Sequence, residues 1–130
     1  MRQPAPGVRL ADWEVVDAFL AAAREGDFTR LVQILAPDAV VAGDEAAILA
    51  GAPARIDGRQ EVATFFNGAA AAALPVFVED RPGAAWFHRG QARVAFAFTV
   101  ADGVVRRIDF RADPQLLAQL NRRDGAYRRN

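Results

Sequence analysis

Asp109 has a sequence setting that suits the activation of a water molecule. It lies between Arg107 and Arg111, and strand alternation over residues 103–112 would place these three side chains on one face. A carboxylate held by guanidinium groups can orient and activate water, provided that a second acid is present. The same pattern is also typical of an ion-paired outer face of a terminal strand, which requires no catalysis.

His88 is the second candidate for proton transfer, because it is the single histidine of the chain. Histidine is the side chain whose unperturbed titration lies nearest neutral pH, so it is the natural general acid or base. His88 shares a predicted strand face with Trp86, which could place it at a cavity, but Gly90 follows it in a predicted turn. A solvated or structural histidine is the alternative interpretation.

Charge and cysteine content limit the kinds of site that the chain can carry. Sixteen basic and sixteen acidic residues cancel, so no net field attracts nucleic acid or an anionic membrane. Cysteine is absent and histidine occurs once, which excludes disulfides, thiolate metal sites and multi-histidine sites within one chain. We therefore expect no metal, no cofactor, no direct nucleic-acid binding and no membrane contact.

Length and hydropathy fit one cytoplasmic domain. A chain of 130 residues can bury a single core without disulfides. No apolar run reaches the roughly 18 residues of a membrane span. The first ten residues also lack the apolar centre of a secretory signal.

Helical patterns dominate the first half of the sequence. Asp12 predicts the N-cap of a first helix that Gly26 ends, and Asp27 predicts the N-cap of a second helix that Pro37 stops. Residues 59–74 form a third helix-favouring run. Between the second and third helices, turn-forming residues separate two short β-rich runs, at 38–42 and around 55–57.

The second half is mainly strand. Four strand-like runs follow the third helix, at residues 75–80, 84–89, 91–100 and 103–112. The turn sequences RPG, RG and ADG separate them, as in an antiparallel meander. In the last run, alternation places Arg106, Ile108 and Phe110 on the face opposite Asp109. Asp113 and Pro114 then open a short C-terminal helix.

This order of elements predicts an α+β domain rather than alternating βαβ units. Residues 1–11 are rich in proline and glycine and predict an N-terminal arm. Residues 12–120 form the predicted domain, and residues 121–130 form a polar C-terminal tail.

Three segments resemble the SnoaL-like, nuclear-transport-factor-2-like superfamily. They are VVDAFLAAAREGDFTRLVQILAPDAVV at 15–41, the turn RIDG before the third helix, and the closing strands. The resemblance implies a cone-shaped domain. About three helices from the N-terminal half would pack on a curved, mixed and mostly antiparallel sheet, with a short C-terminal helix.

The narrower resemblance is to the SnoaL-like C-terminal domain of extracytoplasmic-function sigma factors. It is carried by the helix pair, PDAVV, and AFAFTVADGVVRRIDFRADPQLLAQL at 95–120. That family commonly has asparagine before the proline, where Asp113 stands here, and aspartate keeps the N-cap. The chain is then either an excised regulatory domain or a stand-alone relative.

The superfamily also contains ketosteroid isomerases, whose pattern this sequence lacks. Phe19 occupies the position of their tyrosine donor, and Val94 falls near the position of their second acidic donor. Their base falls near Gly43 and Asp44, with Asp44 one residue out of register. The resemblance thus leaves Asp44, His88 and Asp109 as candidates for a cyclase, another isomerase or an epoxide hydrolase.

Aromatic residues are spaced so that they cluster between the helices and the sheet. A subset would form the apolar wall of a ligand pocket if the cone is not filled to its mouth. The candidate pocket residues are Trp13, Phe19, Phe65, Phe66, Trp86, Phe96 and Phe98.

The leading hypothesis is a non-catalytic domain that binds a small apolar organic molecule and regulates transcription, with sigma-factor core regions or RNA polymerase as partners. The first alternative is a small SnoaL-type cyclase, isomerase or epoxide hydrolase. The second is a dimerisation scaffold, and a homodimer is expected in any case.

Overall fold

The computed structural model describes residues 10–69, 73–79 and 81–122. The helices are α1 (Leu10–Glu25), α2 (Phe28–Ile34), α3 (Glu45–Leu49), α4 (Arg59–Phe66) and α5 (Pro114–Ala118). The strands are β1 (Leu35–Gly43), β2 (Arg55–Asp57), β3 (Ala73–Val78), β4 (Arg81–His88), β5 (Gln91–Ala101), β6 (Val104–Arg111) and β7 (Asn121–Arg122). Most of the predicted arm and tail, residues 1–9 and 123–130, lies outside the described residues.

The strands form one curved sheet in the order β2-β1-β6-β5-β4-β3-β7. β1 and β6 run parallel, and every other neighbouring pair in the described sheet is antiparallel. The prediction of an α+β domain with a mixed, mostly antiparallel sheet is confirmed.

The corner between α1 and α2 forms as its sequence predicts. Gly26 adopts a φ of +74°, which glycine tolerates without steric cost. The Asp27 side chain then accepts a hydrogen bond from the Arg30 N–H at 3.2 Å and caps α2. The predicted start of α1 was wrong by three residues, because an N-cap at Asp12 would start the helix at Trp13, whereas the helix begins at Leu10 and includes Asp12 in its first turn.

α3 is a helix that the sequence analysis did not predict. It contains five residues, and Asp44 caps it by accepting a hydrogen bond from the Ala47 N–H at 2.7 Å. α4, in contrast, is shorter than predicted, because it ends at Phe66. Beyond it, the Gly68 N–H donates to the carbonyl of Ala23 in α1 at 2.7 Å.

Two of the three predicted turns are in place. Arg89 and Gly90, like Asp102 and Gly103, have positive φ angles, as two-residue hairpin turns require. The prediction that RPG separates two strands was wrong. Pro82 and Gly83 are buried within β4.

The main core lies between the helices and one face of the sheet. β5 and β6 contribute Phe96, Phe98, Ile108 and Phe110 to it, all at most 1% exposed. The prediction that Arg106 shares the face of Ile108 and Phe110 was wrong, because the β5–β6 register shifts between Thr99 and Val100. Val105 is buried in the core instead, and Arg106 is exposed.

A smaller apolar cluster covers the opposite face of the sheet. α5 packs there through Leu116, against Val76, Ala85, Ala95 and Ala97. Small side chains on β4 and β5 thus leave room for the helix, which places α5 on the side of the sheet away from the main core. The Asp113 side chain caps α5 through the Leu116 N–H at 3.3 Å, so the predicted cap is confirmed.

Replacing Gly83 with alanine is expected to destabilise the fold by about 3 kcal/mol, as overpacking typically does. A Cβ atom at this position would lie 2.3 Å from the Phe96 carbonyl oxygen and 2.7 Å from Val78 Cγ2. Urea denaturation followed by circular dichroism measures the change. Gly103→Ala is the control, because Gly103 has open space around it and its φ of +77° should cost only about 1 kcal/mol. Equal losses in the two variants would contradict the close approach of β4 to β5.

Candidate functional site

Five of the seven predicted pocket residues form a continuous aromatic cluster between α1, α4 and the sheet. The Phe66 ring centroid lies 5.1 Å from that of Phe19 and 6.1 Å from that of Phe96. Phe19 also contacts Phe98 at 5.4 Å, and Trp86 contacts Phe96 at 4.6 Å. These edge-on and tilted contacts are the arrangements that aromatic rings favour.

The other two predicted residues extend this cluster or lie beside it. Phe65 contacts Phe66, with ring centroids 5.0 Å apart. Trp13 packs edge-on against Phe77 of β3 at 5.3 Å. Phe65 and Trp86 are half-buried, whereas the remaining predicted residues are buried. That these residues contact a ligand stays a prediction, and the two half-buried side chains are the accessible members of the set.

Phe110 belongs to the same cluster, although the sequence analysis did not include it among the pocket residues. Its ring lies 5.1 Å from Phe96, 5.9 Å from Phe65 and 6.0 Å from Trp86. Its alternation with Ile108 was the signal that placed it on the core face, but spacing alone could not show which rings it meets.

Next to this cluster, at the end of the sheet where β5 begins and β6 ends, lies a cavity of about 350 Å³. Val94 and Ala112 line this cavity and also pack against the main core. Ala46 of α3 and the C-cap residue Ala50 form a second wall, and Leu117 of α5 forms a third. The site therefore depends on two short helices that hold its opposite walls.

A second cavity, of about 460 Å³, lies along α5. It shares Ala92 and Leu117 with the first cavity, so the two are neighbours separated by these side chains. Its other lining residues are Phe87, Gly90, Gln91, Pro114, Ala118 and Leu120. Most of the lining residues of both sites are apolar, although nearly half of the lining surface is polar and both sites are open to solvent.

The Asp44 side chain connects two elements of the fold. Besides capping α3, its carboxylate accepts the Ala112 N–H, with both oxygens at 3.3 Å, and lies 3.6 Å from Arg111 Nε. These bonds join α3 to the end of β6. The Asp44 carboxylate, which the family resemblance placed near the position of a catalytic base, thus accepts hydrogen bonds from backbone N–H groups.

Asp109 lies on the sheet face opposite the aromatic cluster. Its side chain pairs with Arg107, with Oδ1 and Nε 2.9 Å apart, and both groups are partly exposed. Arg111, the second predicted flanking cation, instead contacts Asp44, Glu79 and Asp113. The arrangement is an ion-paired outer surface, which was the alternative interpretation of this pattern.

His88 is exposed at the end of β4, where it pairs with Gln91 across the hairpin. The structure therefore places the three predicted catalytic candidates at separate positions: a cap, an outer sheet face and a hairpin end. None of them lines either cavity described above. Among the residues that the structure describes, no group of three or more metal-ligating side chains could hold a metal ion.

No protein-family model matches the sequence, and a search of curated proteins found no match. Solved structures do match. The extracytoplasmic function sigma factor SigJ of Mycobacterium tuberculosis aligns with a TM-score of 0.64 and 26% identity, over 85% of this chain and 46% of that one. This chain thus spans about half the length of that sigma factor.

A candidate polyketide cyclase from Sinorhizobium meliloti aligns with a TM-score of 0.50 and 26% identity, over 75% of this chain and 93% of that one. The chain belongs to the SnoaL-like, nuclear-transport-factor-2-like superfamily. An LEH-like epoxide hydrolase from M. tuberculosis shares the SnoaL-like fold at a TM-score of 0.51 and 19% identity, over 84% of this chain and 87% of that one.

Within this SnoaL-like domain, we expect Asp44→Ala to reduce the free energy of unfolding by about 1–2 kcal/mol, because it removes a helix cap and leaves the Ala112 N–H without its acceptor. Asp44→Asn should lose less, since asparagine also caps helices. Urea denaturation of both variants measures the difference.

Asp109→Asn is the matched control, because it removes one charge from a partly exposed ion pair. The loss should stay below about 1 kcal/mol. If Asp109→Asn were as costly as Asp44→Ala, the assignment of Asp44 as the structural carboxylate would be wrong.

Proposed function

We propose that the protein is a non-catalytic, ligand-binding regulatory domain of transcription, similar to the SnoaL-like module of an extracytoplasmic-function sigma factor and acting in the cytoplasm. One observation carries the proposal: α3 forms a wall of the apolar cavity and also presents apolar side chains to solvent. Ligand binding and partner binding would then share one short helix.

The two sides of α3 support this proposal directly. Ala46 and Ala50 line the cavity, and Ala47 is buried in the main core. Ile48 and Leu49 are 42% and 84% exposed, and they are the large apolar side chains left exposed in the described part of the chain. A pair of exposed aliphatic side chains on one turn of helix is suited to contact another protein.

The likeness to a sigma factor suggests what that other protein is. SigJ is about twice as long as the segment that aligns with this chain, and the two share 26% identity over that segment. We therefore assign the exposed side of α3 to contact with sigma-factor core regions or with RNA polymerase. A homodimer of this domain is part of the same proposal.

The ligand that fits this site is a small organic molecule with an apolar body. Its apolar part would lie against Val94, Ala112 and Leu117. The predicted catalytic residues lie elsewhere, which is why binding without turnover is the favoured function. The ligand would act by changing the position or mobility of α3.

A SnoaL-type enzyme is the second candidate function. The supporting observation is the candidate polyketide cyclase, which shares 26% identity with this chain and is covered over 93% of its length. A stand-alone domain with a cyclase, isomerase or hydrolase activity would act on an apolar organic substrate. Conversion of a bound molecule distinguishes this function from sensing.

We expect the purified protein to bind the neutral probe N-phenyl-1-naphthylamine, with a rise in probe fluorescence. Ala46→Leu should weaken this binding by at least about tenfold, because the larger side chain fills the cavity. Ala101→Leu, near the other end of β5 and outside both cavities, should bind the probe as the parent protein does. Hydrogen exchange should slow at the α3 amides when the probe binds.

Native mass spectrometry of the same protein tests for a co-purified molecule and for the homodimer. Retention of one molecule that is unchanged after incubation would support sensing. Its chemical conversion would favour the enzyme, and equal probe affinity in the Ala46→Leu and Ala101→Leu variants would contradict the assignment of the cavity.

A further inference from the structure

Arg93 lines the cavity as an exposed residue, at an irregularity in β5. The β4–β5 register shifts between Trp86, which pairs with Val94, and Phe87, which pairs with Ala92. Arg93 is thus the extra residue of a β-bulge, a device that redirects a side chain at the edge of a site.

This bulge reverses the normal alternation of the strand. In a regular strand, Ala92 and Val94 would face the same side of the sheet. Here Val94 is buried in the main core, whereas Ala92 packs with the cluster on the opposite face. Arg93, the residue between them, is exposed and lines the cavity.

Arg93 is also the charged residue of the site. The lining residues of the two cavities comprise Arg93, Gln91 and otherwise apolar residues or glycine. Arg55, Arg107 and Arg111 each form ion pairs with carboxylates. Within residues 10–69, 73–79 and 81–122, Arg93 takes part in no ion pair.

We infer that the cavity selects amphipathic organic anions, with Arg93 binding the anionic group at the rim and the apolar body inserted between α3 and α5. This inference rests on the proposed ligand-binding function and names the class of ligand. A guanidinium group presents paired donors that match a carboxylate or sulfonate, and the charge-assisted bonds exceed those of a neutral donor. The alanine-rich walls supply apolar contact without fixing the shape of the body.

A matched pair of probes tests the charge directly. 8-Anilinonaphthalene-1-sulfonate and N-phenyl-1-naphthylamine share one aromatic skeleton, and only the first carries an anionic group. The 130-residue chain should bind the anionic probe more tightly at low salt. Arg93→Gln should weaken the binding of the anionic probe about tenfold and should change the affinity for the neutral probe less than twofold. Arg93→Lys should give an intermediate affinity for the anionic probe.

Arg106→Gln is the control for the loss of positive charge. Arg106 is an exposed arginine beside a register shift of β6, and it lines neither cavity. Its replacement should leave both probe affinities unchanged. Circular dichroism of each variant checks that the fold is intact.

The outcomes separate the two levels of the proposal. If both probes bind and Arg93→Gln affects neither, or affects both equally, anion selection by Arg93 is wrong and the apolar ligand site stands. If Arg93→Gln and Arg106→Gln weaken binding of the anionic probe equally, the effect comes from the overall charge of the protein, and this result also overturns the inference. If neither probe binds the parent protein, both the inference and the proposed site fail.

Discussion

The contact of Phe66 with the sheet is the constraint on which the arrangement of this domain depends. Its ring meets Phe19 of α1, Phe96 of β5 and Phe110 of β6, and it is fully buried. Burial of one aromatic ring is worth several kcal/mol, and here one ring joins two helices to two strands. Because α4 is fixed in this way, α1 is held over the same face of the sheet, and the aromatic cluster fills the space between them.

Aromatic rings fill the interior between the helices and the sheet, so the accessible space lies at the end of the sheet. The deeper rings are in mutual contact, whereas Phe65 and Trp86 remain half-buried. The cavities described here lie at the end of the sheet, where Ala46 and Ala50 line the first and α5 lines both. One face of the sheet thus packs against the helices in the main core, whereas the end of the sheet carries the candidate ligand site.

The sequence was sufficient for features that depend on local chemistry. Gly26 with Asp27 predicted the first corner, and Asp113 predicted the cap of α5, because such residues satisfy backbone groups within a few positions. The α+β class followed from the order of the elements, and the superfamily followed from the resemblance that three segments carry. Features that depend on distant contacts were missed or misplaced.

α3 illustrates why the remainder could not be predicted. Five residues are too few for a stable helix in isolation, and this one is tied down by a hydrogen bond between Asp44 and Ala112, which are 68 positions apart. The bulges at Arg93 and Arg106 have the same origin, because register is decided by the partner strand. The cavity could not be predicted for the same reason, since its walls come from α3, β5 and α5, which are distant in the sequence.

In the proposed regulatory function, the position of α3 would give the Asp44 carboxylate a further role. The Asp44 side chain holds the first turn of the helix at one end and the end of β6 at the other. A ligand that presses on Ala46 or Ala50 would therefore push against a helix fixed by the Asp44 side chain, by the Asp44 N–H, which donates to the Phe110 carbonyl at 2.9 Å, and by the buried Ala47. A short helix held by so few contacts lies at the low end of local stability, where small binding energies change populations. The exposed Leu49 would carry such a change to a partner. In this role the Asp44 carboxylate would be the fixed point of the helix, because its oxygens accept hydrogen bonds from the backbone.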